Sequence, residues 1–134
     1  MGGMTPTQFI QDVYAAFGRG DLPYILAACA EDVDWRALAP TGAPYCGHFK
    51  GRDGAKRFFE AFLSTMKLTK FEPRQFFESG GTVVVLGREG GTVVPTGRTT
   101  EYDWVHVFVV RNGKVAAFTE FSDAATLDAA FKKA

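Results

Sequence analysis

Three kinds of residue in the last third of the chain could do proton chemistry: a histidine, two acids and hydroxyl- or indole-bearing aromatics. His106 sits in the segment EYDWVHVFVVRNGKVAAFTEFSD (residues 101–123), with Glu120 and Asp123 at its far end. An imidazole beside a carboxyl group can share or pass a proton, and a carboxyl enclosed by apolar groups keeps its proton nearer neutral pH. Tyr102 and Trp104 lie four and two positions before His106, and residues two apart share one face of a strand. Tyr102, Trp104, His106, Phe108 and Val110 therefore form one stripe, and Glu101, Asp103, Val105, Val107 and Val109 the other. The first stripe reads as an aromatic pocket wall with a few polar groups. The second reads as the outer face of a sheet, whose valines would be a self-association surface.

The facing of the acids depends on the Asn112-Gly113 turn. A two-residue turn pairs Arg111 with Lys114. His106 then lies opposite Thr119, with Asp123 on its face and Glu120 on the other. A three-residue loop with a bulged Gly113 pairs Val110 with Lys114. His106 then lies opposite Phe118 and diagonal to Glu120, with Trp104 opposite Glu120. Arg111-Asn112-Gly113 suits the second arrangement, so Glu120 is the preferred acid and Asp123 the alternative. Asp123 also has a simpler reading, as N-cap of a terminal helix.

Elements must position these groups. Thr5-Pro6 opens a helix whose apolar positions Phe9, Ile10, Val13, Tyr14 and Phe17 follow helical spacing, with Gly18 and Gly20 stopping it. Asp21 caps a second helix carrying Leu22, Ile25, Leu26 and, in the same apolar run, Cys29. A short strand is expected over Val33–Leu38, then a loop over Pro40–Gly51, then a third helix capped by Asp53 and presenting Phe58, Phe59 and Phe62. Strands follow at Lys70–Glu78, Thr82–Glu89, Thr92–Pro95, Thr99–Arg111 and Lys114–Ser122, with Gly80-Gly81 and Gly90-Gly91 read as turns. Arg88, Glu89 and Arg98 read as solvated strand ends, and His48 as exposed or beside the pocket mouth. Helices followed by hairpin-connected strands indicate an α+β fold. The added pocket lining expected from this order is Tyr14, Trp35, Phe58 and Phe62.

Composition narrows the function. The 134 residues form one expected domain, 1–134, with residues 1–4 read as a disordered or added extension. Fifteen basic and fifteen acidic residues cancel, so neither nucleic acid nor an anionic membrane is an expected partner. Thirteen phenylalanines suggest a thick aromatic core or an apolar cavity. Cys29 and Cys46 match no metal or redox spacing, and the two histidines stand far apart, so no metal site is expected. Cysteine usage and the absence of a signal segment or apolar span fit a cytoplasmic protein.

The first helix, Gly20-Asp21, AEDVDW, GHFKGRDGAKRFF and YDWVHVFVVRNGKVAAFTEFSD together resemble the SnoaL-like branch of the nuclear transport factor 2-like superfamily, across about residues 6–130. That resemblance implies a cone, in which a strongly curved, mostly antiparallel sheet wraps three N-terminal helices and a short C-terminal helix follows. It also implies a homodimer through the convex sheet face. The ketosteroid isomerases of the superfamily are matched poorly: their oxyanion tyrosine falls on Val13, their base near Ala37 and their second acid near Val105 or His106. The polyketide cyclases are matched better, by the histidine of WVHV and the acids of TEFSD. The implied chemistry is cofactor-independent proton transfer by an acid in a dry pocket: isomerase, cyclase, dehydratase or hydrolase action on a small, mostly apolar carbonyl compound. A non-catalytic ligand-binding or dimerisation domain is the alternative.

Overall fold

The computed structural model describes residues 3–38 and 43–133. Met1 and Gly2 of the expected extension, and residues 39–42 of the expected Pro40–Gly51 loop, lie outside them. Helix α1 (Pro6–Gly18) starts where the sequence says it should: the Thr5 hydroxyl accepts from the Gln8 amide and the Gln8 side chain answers to the Thr5 amide. Its first turn is tied to the sheet by Thr7, which donates through both amide and hydroxyl to Glu78. Helix α2 (Leu22–Ala28) is capped by Asp21. Strand β1 (Cys29–Leu38) starts earlier than expected, because Cys29 is the first strand residue and not a helical one. Burial pushes its thiol pKa up to about 11.

Strand β2 (Gly47–Lys50) is unanticipated and pairs with β1 inside the expected loop. Helix α3 (Gly51–Thr65) follows with Lys50 as its cap residue; Asp53, the expected cap, sits in the first turn. Two helices therefore precede the sheet and the third enters after β2. Strands β3 (Met66–Ser79), β4 (Thr82–Val93), β5 (Thr99–Arg111) and β6 (Lys114–Ser122) complete a six-stranded sheet in the order β2-β1-β6-β5-β4-β3. Every pairing is antiparallel except β1 with β6. Helix α4 (Ala124–Phe131) closes the chain. The fold is α+β with helices inside a wrapped sheet.

Gly90 and Gly91 do not form a turn. Strand β4 runs straight through them, and a Cβ on Gly91 would lie 2.2 Å from the Lys67 carbonyl oxygen of β3. Glycine is there for close backbone approach, not for reversal. Gly87 does similar work for a side chain: a Cβ there would lie 2.3 Å from the Trp104 indole, which fills the space instead.

The core sits between the helices and the concave face. Ile10, Val13 and Ala16 of α1, Ile25 of α2, and Ala55, Phe58, Phe59 and Phe62 of α3 are buried against Trp35, Val85, Phe108 and Phe118 of the sheet. Each phenylalanine withdrawn from water stabilises the fold by roughly 2–3 kcal/mol. Among the described residues no helix is long and apolar enough to cross a membrane.

Candidate active site

The β5–β6 hairpin combines features of both sequence alternatives. Arg111 pairs with Lys114, and Asn112 (φ 53°) and Gly113 (φ 72°) are both left-handed, as a two-residue turn of type I′ needs. Val110 then pairs with Val115, but Val109 pairs with Ala117, so Ala116 is an extra residue bulged out of β6. That one residue reverses the facing of everything after it. His106 consequently lies directly opposite Glu120, neither opposite Thr119 nor opposite Phe118, and Trp104 lies opposite Ser122.

His106 and Glu120 are both buried, and His106 Nε2 lies 2.8 Å from Glu120 Oε2. The other ring nitrogen, Nδ1, lies 2.8 Å from the Tyr14 hydroxyl. The imidazole is held flat against Trp104, with ring centroids 3.7 Å apart and planes 13° off parallel, and Tyr14 stacks beyond both. Burial moves the two ionisable partners in opposite directions. It lowers the His106 pKa well below its ordinary value and raises that of Glu120 to about 7. Tyr14 is raised well above the phenol value, first by burial, then by Glu120 and Glu89. The pair is therefore a hydrogen-bonded neutral imidazole beside an acid that titrates near neutrality, and its protons belong to the pair.

Two proton arrangements satisfy the chain Tyr14–His106–Glu120. With Glu120 ionised, Nε2–H donates to the carboxylate and Tyr14 O–H donates to Nδ1. With Glu120 protonated, its O–H donates to Nε2, Nδ1–H donates to the Tyr14 oxygen, and the Tyr14 proton is released towards the cavity. The cavity they face measures about 50 Å3 and is bounded by Val13, Phe17, Trp35, Phe58, Phe71 and Phe118 among others. It holds a water or two, not a substrate, in this conformation. An open cleft of about 600 Å3 between α1, α2, α3 and β3 shares Tyr14, Phe17, Ile25, Phe59 and Phe71 with it. Phe17 and Phe71, ring centroids 4.8 Å apart, stand between the two spaces.

The other sequence candidates divide by position. Trp35, Phe58, Phe62 and Tyr14 line the cavity. Trp104 and Tyr102 are buried one layer behind its wall, Trp104 supporting His106 and Tyr102 donating to Glu89 at 2.6 Å. Asp123 is exposed and accepts from the Thr126 amide and hydroxyl, so it caps α4 and takes no place beside His106. His48 is exposed and pairs with Asp34 across β1 and β2.

One residue of the site was misread from sequence. Glu89 is only 2% exposed and lines the cavity, whereas the sequence reading left it in solvent at a strand end. The signal was available: Val83, Val85, Gly87 and Glu89 alternate onto one face if β4 is not cut at Gly90. Three buried polar atoms have no hydrogen-bond partner among the described residues: Trp35 Nε1, Trp104 Nε1 and the Tyr45 hydroxyl. Among the same residues no group of three or more His, Cys, Asp or Glu side chains could hold a metal ion.

Comparison with known proteins gives the family and the fold. The family model of the SnoaL-like domain matches residues 10–118. An NTF2-like protein from Burkholderia xenovorans is 32% identical with a TM-score of 0.86, covering 97% of this chain and 100% of its own. An NTF2-like protein of unknown function from Burkholderia pseudomallei is also 32% identical, with a TM-score of 0.85 over 96% of this chain and 99% of its own. TerC, co-crystallised with polyporic acid, is 28% identical with a TM-score of 0.83, covering 95% of this chain and 98% of its own. Among curated proteins none matches the chain.

Proposed function

The chain belongs to the SnoaL-like family, and we propose that it is a cofactor-independent enzyme that moves protons on a small, mostly apolar carbonyl compound, by isomerase, cyclase, dehydratase or hydrolase chemistry. The observation that carries this reading is the buried chain Tyr14–His106–Glu120, with both links at 2.8 Å. Glu120 is the proposed base. Burial raises its pKa to about 7, which lets it be ionised before the reaction and protonated after it. His106 orients it by donating Nε2–H to Oε2, a bond that persists when the other carboxyl oxygen takes the proton. Tyr14, donating to Nδ1, holds the imidazole in that tautomer.

The ligand reaches this chain through the cleft between α2 and β3, with Phe17 and Phe71 turning aside. Because a related protein was co-crystallised with polyporic acid, that compound is the first to test. Its addition is expected to raise Tm and quench the Trp35 and Trp104 fluorescence of the wild type. Absence of both responses, for this and a panel of small aromatic carbonyl compounds, would remove the ligand from the reading. The alternative is a non-catalytic binding or dimerisation domain, and the 50 Å3 cavity is the observation in its favour.

We also propose a cytoplasmic homodimer. Phe77, Val84 and Val107 form one row across the outer sheet face, and Leu38, Phe121 and Val105 another. Leu38, Phe77 and Phe121 are exposed in the single chain. Contiguous apolar surface of this kind marks an interface. A monomer in sedimentation at micromolar concentration would reject it.

A further inference from the structure

We propose that Glu89 is a second catalytic acid of the cavity, giving a hydrogen bond and then its proton to the carbonyl oxygen of an enolisable ketone or aldehyde whose α-carbon faces Glu120. This rests on the proton-transfer reading above and names the substrate class it requires. The placement comes from the sheet. Glu89 on β4 lies opposite Tyr102 on β5, while Glu120 on β6 lies opposite His106, four residues further along the same strand. Two acids thus flank one cavity from two levels and two sides of β5. Tyr102 O–H donates to Glu89 Oε2 and fixes the carboxyl, and no hydrogen bond among the described residues engages Oε1.

A purely structural glutamate is a poor account of this position. Among the described residues no Lys or Arg side chain lines the cavity, and an apolar residue of similar volume would pack there without the cost of burying a carboxyl group. Burial first, and then the charge of Glu120, raise the Glu89 pKa to about 8, above the value near 7 for Glu120. The two carboxyl groups therefore take up protons near neutrality as a pair, and the unengaged Oε1 of Glu89 is free to carry one into the cavity. Tyr14 and Tyr102 are both held above their ordinary pKa and stay protonated.

The step balances without a co-reactant. Glu120 carboxylate takes a proton from the α-carbon, and the C–H electron pair becomes the C=C bond of an enol. The carbonyl π pair moves to oxygen, which takes the proton of Glu89. Glu120 is now the acid and Glu89 the carboxylate, so the dry cavity carries a single negative charge before and after. Glu120 returns its proton to the same or a conjugated carbon, and Glu89 recovers its own from the enol hydroxyl.

The test uses carbonyl-labelled acetophenone, a small enolisable ketone, with the full-length protein in heavy water. Two readouts are followed: the infrared carbonyl frequency of the bound ketone, and exchange of its methyl hydrogens. Wild type is expected to lower the frequency and catalyse exchange. Glu89→Leu should lose the frequency shift and about 100-fold of the exchange rate. Glu89→Gln, whose amide can still donate, should keep most of the shift while exchange falls at least about tenfold. Glu120→Gln should keep the shift and lose exchange. Wild-type shift and exchange in Glu89→Leu would overturn the role of Glu89 and leave the Glu120 reading standing. If circular dichroism shows Glu89→Leu unfolded, wild-type exchange in Glu89→Gln overturns it equally. Failure of the wild type to bind or exchange the ketone would sink the underlying reading as well.

Discussion

The two faces of strand β5 treat the same functional group in opposite ways. On the inner face, Glu89 and Glu120 have no Lys or Arg partner among the described residues and are pushed up to about 8 and about 7. On the outer face, Glu101 accepts from Arg88 and then from Lys70, and those bonds hold its pKa below the ordinary value. Arg88 also reaches Asp103 at 2.9 Å. Adjacent residues in sequence, Arg88 and Glu89, thus belong to two chemistries. The outer carboxylates are solvated ions, and screening limits what they contribute to stability. The inner ones are acids available for transfer at neutral pH.

The sharpest way to break this contrast is to neutralise one acid on each face. Glu120→Gln is expected to abolish turnover of whichever carbonyl compound is found, while ligand affinity stays within roughly tenfold, about 1.4 kcal/mol. Glu101→Gln should leave turnover unchanged, and comparable losses in both variants would show that facing does not decide function. Next in size is the support of the imidazole. Gly87→Ala forces a methyl group into the Trp104 indole and is expected to cost about 3 kcal/mol, read as a lower midpoint in urea. An unchanged midpoint would mean Trp104 is not pressed against β4.

A third effect follows from proton linkage. Glu89 and Glu120 have folded pKa values above the ordinary 4.5, so the folded state keeps protons that the unfolded chain has lost. Their contribution is fully present below about 4.5 and is lost as pH rises towards about 8 and about 7. His106 is depressed below 6.5, so its contribution is present above that value and lost as pH falls through the folded pKa. Between pH 6.5 and 8 the carboxyls act without His106, and for Glu89 the expected fall in stability is about 2 kcal/mol. Glu89→Gln should reduce the fall in that window to the part due to Glu120; an undiminished slope would assign it elsewhere. The smallest effect is on the outer face, where Arg88→Gln should leave Tm within experimental error at moderate salt.

Sequence was informative where one residue type carries a single physical meaning. Thr5, Asp21 and Asp123 cap their helices through side-chain oxygens, and the alternation of β5 put His106 and the aromatics on the buried face. The fold followed from such local rules together with the resemblance. The acid pairing did not, because Ala116 bulges without any special residue to announce it. Glu89 was hidden by the two glycines after it, which look like a turn yet serve close packing with β3. Strand β2 is four residues long in a proline- and glycine-bearing stretch, too short for periodicity to register. Burial of an acid is a tertiary property, and only the closed sheet supplies it.

The bulge at Ala116 also works as a parity bit for the hairpin. Between the turn and Glu120 β6 has one residue more than the matching stretch of β5, and the bulge absorbs it, so that Glu120 stays opposite His106 and faces inwards. Deleting Ala116 would remove the extra residue and keep Ala117 opposite Val109, so His106 and Glu120 would stay partnered. Inserting one residue between Ala117 and Glu120, with the upper register kept, would send the acid to the outer face beside Val105 and Val107 while leaving composition almost untouched. Length variation in this hairpin therefore has a sign: a loss at the bulge spares the pair, and a gain below it removes the acid from the cavity.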